Sequence, residues 1–328
     1  MRRREFLYLG TGAVLLPLVA ARSAERARRL GVLMSNKEGD PVAVTRVAKF
    51  REGLAQLGWR EGQNLQIEWR WGGGDIALTR RYAEELVNLA PDILLGNGTP
   101  AAVALKQATT TIPIVFSVVN DPVAQGIISN MAHPGGNITG FSFLEYSMVG
   151  KSLEMLKRIS PQSKSVAIMF NPETYPYYDI HLKSFATVAS KLSLDLSAAP
   201  VKSVIEIDAA FAKLGKQPGS TVLVTPDPFM LVNRAAAIKA AAQYRVPASY
   251  SYRPIVEEGG LTSYGADAGD IFFRSAGYID RILKGAAPGD LPAQAPVKFE
   301  IAFNVTTAKA LGLEIPPDLL ALADAVVE

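Results

Sequence analysis

Four times in this chain a short apolar run ends in a polar side chain followed by proline: Thr99-Pro100, Asp121-Pro122, Asn171-Pro172 and Asp227-Pro228. Thr, Asp and Asn accept hydrogen bonds from the unpaired N–H groups at a helix start, and proline suits the first helical position. The N–H groups exposed there can hold a carboxylate or another anion. One such pair starts a helix whether or not it meets a ligand. Four in equivalent positions predict a continuous rim of polar loops. Around that rim the candidate ligand contacts in the first half of the chain are Ser35, Asn36, Thr99, Pro100, Asn120 and Asp121. In the second half they are Asn171, Tyr175, Asp227, Tyr250 and Tyr264, with Phe141 between the halves. Thr99 and its neighbouring N–H groups suit a carboxylate. Asp121 or Asp227 suits an amino group, unless each is only a cap. Tyrosines supply apolar area and one hydrogen bond; Tyr175, Tyr177 and Tyr178 serve equally well as loop packing.

Other chemistry lacks its residues. Gly72-Gly73-Gly74-Asp75 has no following Lys-Ser/Thr, so it is not a nucleotide phosphate loop, and there is no Gly-x-Ser-x-Gly elbow. The chain has no cysteine, which excludes disulfides, thiolate metal sites, a Cys nucleophile and a lipid-modified N-terminal Cys. His133 and His181 lack metal-ligand spacing and read as surface or structural residues. Glu84-Glu85 and Glu257-Glu258 read as solvated faces. No catalytic residue, metal or cofactor is expected.

The elements that position the rim alternate. Residues 29–34 read as a buried strand, followed by a helix with Val44, Val47, Phe50, Leu54 and Leu57 on one face and Gly58 at its end. Residues 65–71 alternate as a second strand and 78–89 read as a second helix. Buried runs at 92–96, 112–119, 166–170 and 221–224 lead into the four proline loops. This alternation implies parallel sheets covered by helices on both faces, with ligands outside the carboxyl ends of the strands. Two proline loops fall in each half, which predicts two similar lobes with facing rims. Gly135-Gly136-Asn137-Ile138-Thr139-Gly140-Phe141 between them suits a hinge. Residues 270–283 read as a strong amphipathic helix, 287–296 as a proline-rich linker, 299–304 as a strand and 306–311 as a helix.

The N-terminus reads as an address. Arg3-Arg4 precedes Phe6-Leu7, and the apolar run at 8–21 is too short to span a bilayer. This resembles a twin-arginine export signal, cleaved after Ala21 or Ala24. The first 24 residues carry Arg2, Arg3, Arg4 and Arg22 against Glu5. Without them the 34 basic and 31 acidic residues become 30 and 30. A neutral body has no electrostatic footprint for nucleic acid or an anionic membrane.

Several stretches resemble one family, the ABC-transporter substrate-binding proteins that include tryptophan- and tyrosine-type binders. They are Phe50-Arg51-Glu52-Gly53-Leu54, Gly98-Thr99-Pro100-Ala101-Ala102, Asn120-Asp121-Pro122-Val123 and His133-Pro134-Gly135-Gly136-Asn137-Ile138-Thr139-Gly140. Pro226-Asp227-Pro228, Gly259-Gly260-Leu261-Thr262-Ser263-Tyr264-Gly265 and Ile315-Pro316-Pro317 continue the pattern over nearly the whole chain beyond the signal. The resemblance implies an α/β fold with two Rossmann-like lobes of the type I periplasmic-binding kind, a three-strand hinge and ligand in the interlobe cleft. It implies an N-terminal lobe of residues 28–140 plus 267–297 and a C-terminal lobe of 141–266 plus 298–328. The function implied is capture of a small organic solute, an amino acid or an aromatic or carboxylate compound, for the permease of an ABC importer. The protein would be periplasmic and would meet the membrane only through the permease. A ligand sensor for a membrane signalling system would share the sequence pattern, and an α/β enzyme is the third reading.

Overall fold

Buried apolar strands and amphipathic helices alternate along the chain, as hydrophobic spacing predicts. The computed structural model describes residues 26–143 and 146–328; the expected export segment and its cleavage sites lie outside them. The order is β1 (Arg28–Met34), α1 (Pro41–Gln56), β2 (Leu65–Trp71), α2 (Ile76–Asn88), β3 (Ile93–Asn97), α3 (Thr99–Ala108), β4 (Ile114–Val119) and β5 (Ile138–Ser142). Then come α4 (Tyr146–Ile159), β6 (Ser165–Phe170), α5 (Tyr178–Lys191), β7 (Asp195–Pro200), α6 (Val204–Leu214), β8 (Ser220–Val224), α7 (Pro228–Val232), α8 (Arg234–Gln243), β9 (Ala248–Tyr250), α9 (Arg253–Glu257) and β10 (Thr262–Ala266). The chain closes with α10 (Ala268–Leu283), β11 (Phe299–Asn304), α11 (Val305–Leu311), α12 (Pro317–Leu320) and β12 (Ala325–Val327).

Among the described residues these strands form two sheets, ordered β2-β1-β3-β4-β5 and β12-β11-β10-β9-β8-β6-β7. Every pair is parallel except β10–β11. Strands β3, β4 and β8 are buried along their whole length, because helices cover both faces of a parallel sheet. The result is two Rossmann-like lobes. The chain passes between them after β5 and after β10, and returns before β11. The linker lies against β5, where Ser142 N donates to Gln294 O (2.9 Å) and Gln294 N to Gly140 O (2.9 Å). Beside it Asp267 N donates to Lys298 O (3.0 Å).

Helix α10 packs on α1, and this contact depends on Gly53. A Cβ there would lie 2.7 Å from Phe273 O and 2.9 Å from Ala276 Cβ. The buried face of α1 is Val42, Ala43, Arg46, Phe50, Gly53 and Leu54. This corrects the expected stripe, since Val44 is 55% and Leu57 41% exposed. The true face is rotated, and it carries an arginine inward.

The four proline loops also need correction. Asp227 does cap a helix: its side chain accepts from Met230 N and Pro228 follows at the first position. For α3 the N-cap is Gly98, with no side-chain bond, and Thr99 is already inside the helix. Asp121 accepts from Ala124 N (3.0 Å) in a run of turns, and Asn171 accepts from Glu173 N (2.8 Å) and Thr174 N (3.3 Å). Short polar side chains bond their own backbone two or three residues ahead in turns as readily as at helix starts. The local signal was therefore real, and the element that followed it differed.

Candidate functional site

The rims of the two lobes touch. Asn120 Nδ2 donates to Pro226 O at 3.3 Å, and Gly98 lies against Pro228. Between them is a cavity of about 20 Å³, lined from the first lobe by Ser35, Asn36, Arg46, Asn97, Gly98, Thr99, Val118 and Asn120. Pro226, Pro228, Leu231 and Tyr252 close it from the second lobe. Its wall is a hydrogen-bonded frame. Ser35 Oγ donates to Asn97 O (2.6 Å), and Gln125 Nε2 reaches Thr99 Oγ1 (3.4 Å) and the Asn120 carbonyl. Val118 has φ +59 at a register shift between β4 and β5. A β-branched residue there is strained, and such strain concentrates at functional loops.

Arg46 is the notable wall residue. It is 3% exposed. Its Nη1 donates to Asn36 Oδ1 at 3.3 Å, and its guanidinium lies 5.0 Å from the centre of the Tyr252 ring. Its Nε and Nη2 have no hydrogen-bond partner, nor do Asn36 Nδ2 and Asn97 Nδ2. Among the described residues no carboxylate pairs with it. Burial pushes the Tyr252 phenol up, and the Arg46 charge opposes that shift. The arrangement presents buried donors with spare capacity to one small space.

Asp227 contrasts with it. It is fully buried, and both oxygens are occupied by its own chain: Oδ1 by Met230 N (2.9 Å) and Thr174 Oγ1 (2.8 Å), Oδ2 by Thr225 Oγ1 (2.8 Å) and Asn171 N (3.2 Å). Burial pushes its carboxyl up and these four bonds oppose the shift. A carboxylate so saturated braces the turn at 171–174 against the loop at 225–230.

A second cavity of about 10 Å³ adjoins the first at Pro226. Its walls are largely apolar: Met148, Val149, Tyr175, Phe185, Leu223, Val224 and Tyr264, with Ser152, Thr225 and Ser251. Tyr175 hydrogen-bonds His181 Nδ1, and Tyr264 stacks on Phe299 with centroids 5.9 Å apart. His181, 1% exposed, has its Nε2 3.7 Å from Asp121 Oδ2 of the other lobe.

The structure therefore brings Ser35, Asn36, Thr99 and Asn120 to one cavity and Tyr175 and Tyr264 to its neighbour. Pro100, Asp121, Phe141, Asn171, Asp227 and Tyr250 line neither. Phe141 packs on Tyr278 (centroids 4.8 Å apart) under Arg274. Tyr250 is buried against Gly260. Sequence reasoning missed Arg46, Asn97, Tyr252 and Leu231. Arg46 was detectable as the one charged residue in the spacing 42, 43, 46, 50, 53, 54.

A further tie joins the lobes outside the cavities. Arg234 Nη1 donates to Asp40 Oδ2 (2.7 Å), and its Nε meets both Glu258 oxygens (3.0 and 2.8 Å). Glu258 is exposed, as a solvated face would be, and is also half of an ion pair. A wider groove of about 560 Å³ lies beyond Arg46 and Tyr252. Its charges largely offset one another: Lys49 pairs with Glu52, Arg253 with Glu257 and Glu300, and Lys298 with Asp270. Among the described residues no cluster of three His, Asp or Glu suits a metal, and no helix is long and apolar enough to cross a membrane.

Lobes of this kind, meeting at rims beyond the carboxyl ends of parallel strands, define the type I periplasmic-binding class. The chain belongs to the ABC transporter substrate binding protein family, whose profile matches residues 38–327. It is 27% identical over 267 residues to a tyrosine-binding protein of Clostridioides difficile, covering 81% of this chain and 76% of that one. A conserved domain protein from Vibrio cholerae superposes with a TM-score of 0.85 at 29% identity, over 92% of this chain and all of the other. An ABC domain in complex with L-Trp from Streptococcus pneumoniae shares the fold, with a TM-score of 0.85 at 24% identity over 92% and 100% of the chains. So does a ligand-free, open substrate binding protein with adhesive properties from Clostridium difficile, at 0.68 and 24% over 92% and 99%. Substrate-binding proteins of this family are extracytoplasmic binders of small ligands and are not enzymes.

Proposed function

We propose that this protein captures an aromatic amino acid between its lobes in the periplasm and presents it to the permease of an ABC importer. The lobes would be residues 28–140 plus 267–297 and 141–266 plus 298–328, after removal of a twin-arginine export signal at 1–24. The observation that carries the reading is the polarity of the two adjoining cavities. One gathers amide, hydroxyl and guanidinium groups; the other is walled by Tyr175, Phe185, Tyr264 and aliphatic side chains. An aromatic amino acid has the same polarity, a charged head and a flat apolar tail. Ser35, Asn36, Thr99 and Asn120 would take the head, and Tyr175 and Tyr264 the tail. The tyrosine-binding relative and the L-Trp complex support this class of ligand.

Cavities this small hold no more than about a water each. A ligand of amino-acid size therefore enters only when the rims part. Contact with both rims then favours the closed arrangement by differential affinity. Isothermal titration of the mature protein with L-tryptophan, L-tyrosine and L-phenylalanine tests the reading. Saturable heat with at least one of them is expected. The absence of both heat and a thermal shift with all three would refute it.

A further inference from the structure

We propose that Arg46 reads the carboxylate of the ligand, holding it against the N-terminus of α3; the assignment rests on the aromatic amino-acid reading above. Two independent observations converge on it. Arg46 is buried at 3% exposure, yet Nε and Nη2 have no partner, and the polar groups it does meet are neutral, the Asn36 amide at 3.3 Å and the Tyr252 phenol. An isolated charge is costly to bury, so a buried guanidinium with free donors marks a place for an anion. Its planar fork suits a carboxylate in particular.

The second observation is the start of α3, a helix of ten residues. Its N-cap is Gly98, and no side chain satisfies the first N–H groups. Gly98 and Thr99 line the same cavity as Arg46. Gly98 has φ +82, and a Cβ there would lie 3.0 Å from Ser35 Oγ, so a larger residue would be strained and would crowd the space. The helix end supplies oriented N–H groups and a partial positive charge, and Arg46 supplies a full one. Asn36 Nδ2 and Asn97 Nδ2, both buried and unpartnered, add neutral donors.

Closure sharpens this arrangement. Tyr252 of the second lobe lies over the guanidinium that α1 of the first lobe carries. A carboxylate bound to Arg46 is thereby shielded from water as the rims meet, and its attraction to the guanidinium strengthens.

The test is calorimetric titration of the full mature chain, wild type against Arg46→Gln and Arg46→Lys. The probes are L-tryptophan, L-tryptophanamide, tryptamine and indole-3-propionate. Wild type is expected to bind L-tryptophan roughly 100-fold more tightly than L-tryptophanamide. Arg46→Gln should weaken L-tryptophan by a similar factor and leave L-tryptophanamide within about threefold, with Arg46→Lys between. A merely structural arginine would weaken acid and amide alike, and that outcome overturns the assignment, as does equal binding of both by wild type. If the amino acid fails but indole-3-propionate binds in an Arg46-dependent way, the amino-acid reading falls and the carboxylate assignment stands. If L-tryptophan does not bind, the same acid-against-amide comparison is made with L-tyrosine and L-phenylalanine; if no probe binds, both fall.

Discussion

Two buried charged side chains at the rims behave oppositely, and their partners explain why. Asp227 is saturated by four donors, two of them hydroxyls from Thr174 and Thr225. Asp227→Ala orphans these donors in a dry site. We expect a loss of about 2–4 kcal/mol in urea unfolding, with ligand affinity changing less than stability. Glu300 illustrates the electrostatic case. Burial pushes its carboxyl up, Asp267 adds to the shift and Arg253 opposes it. A raised carboxyl favours folding fully below the ordinary carboxylate range and loses that contribution as pH rises through the folded value. Glu300→Gln should therefore melt higher than wild type at pH 8, by a few tenths of a kcal/mol after solvent screening. The difference should vanish near pH 4. A thermal melt series across that range checks the sign. Sequence exposed the candidates at this scale, since Ser35, Asn36, Thr99 and Asn120 do share one cavity. It did not expose their satisfaction. That Asp227 is filled depends on Asn171 and Thr174, more than fifty positions away.

Among the elements, α1 carries most of the site's logic. Asp40 caps it and also binds Arg234 of the other lobe; Arg46 lies nearly two turns further on; Gly53 allows α10 to seat. Gly53→Ala would drive a Cβ into a backbone carbonyl, which cannot rotate away. We expect a cost of about 1–3 kcal/mol by chemical denaturation, together with weaker ligand binding because α1 must shift. Strand positions were legible from apolar runs because a parallel sheet buries both faces of its strands. The helix face was less so. Phe50 and Leu54 of the expected stripe are buried and Val47 packs on the core, but Val44 and Leu57 are exposed, and the tight seat against α10 turned the face toward Ala43, Arg46 and Gly53. Apolar spacing reports an average face, whereas the partner helix decides the rotation.

For the whole molecule, opening and closing is the property most open to measurement. Asp40 and Arg234 are largely buried and join the lobes at 2.7 Å. Asp40→Asn removes the interlobe charge pair, while Arg234 keeps Glu258 within its own lobe. The expected result is a larger radius of gyration by small-angle scattering without ligand. Apparent affinity should fall by several-fold to about tenfold, as the closed fraction drops. An unchanged radius and affinity would show that the pair does not govern closure.

Hydrophobic period, loop chemistry and the order of motifs were sufficient by themselves to establish an α/β chain with two polar rims, and they carried no positive sign of catalytic machinery. These are local properties, written within a few residues. Folding alone decided which rim groups meet across the lobes, that Asp227 is already satisfied, and that Arg46 points inward with donors to spare. Each of those depends on burial and on partners distant in the chain. Burial is a property of the packed molecule, so a residue's type and spacing do not contain it.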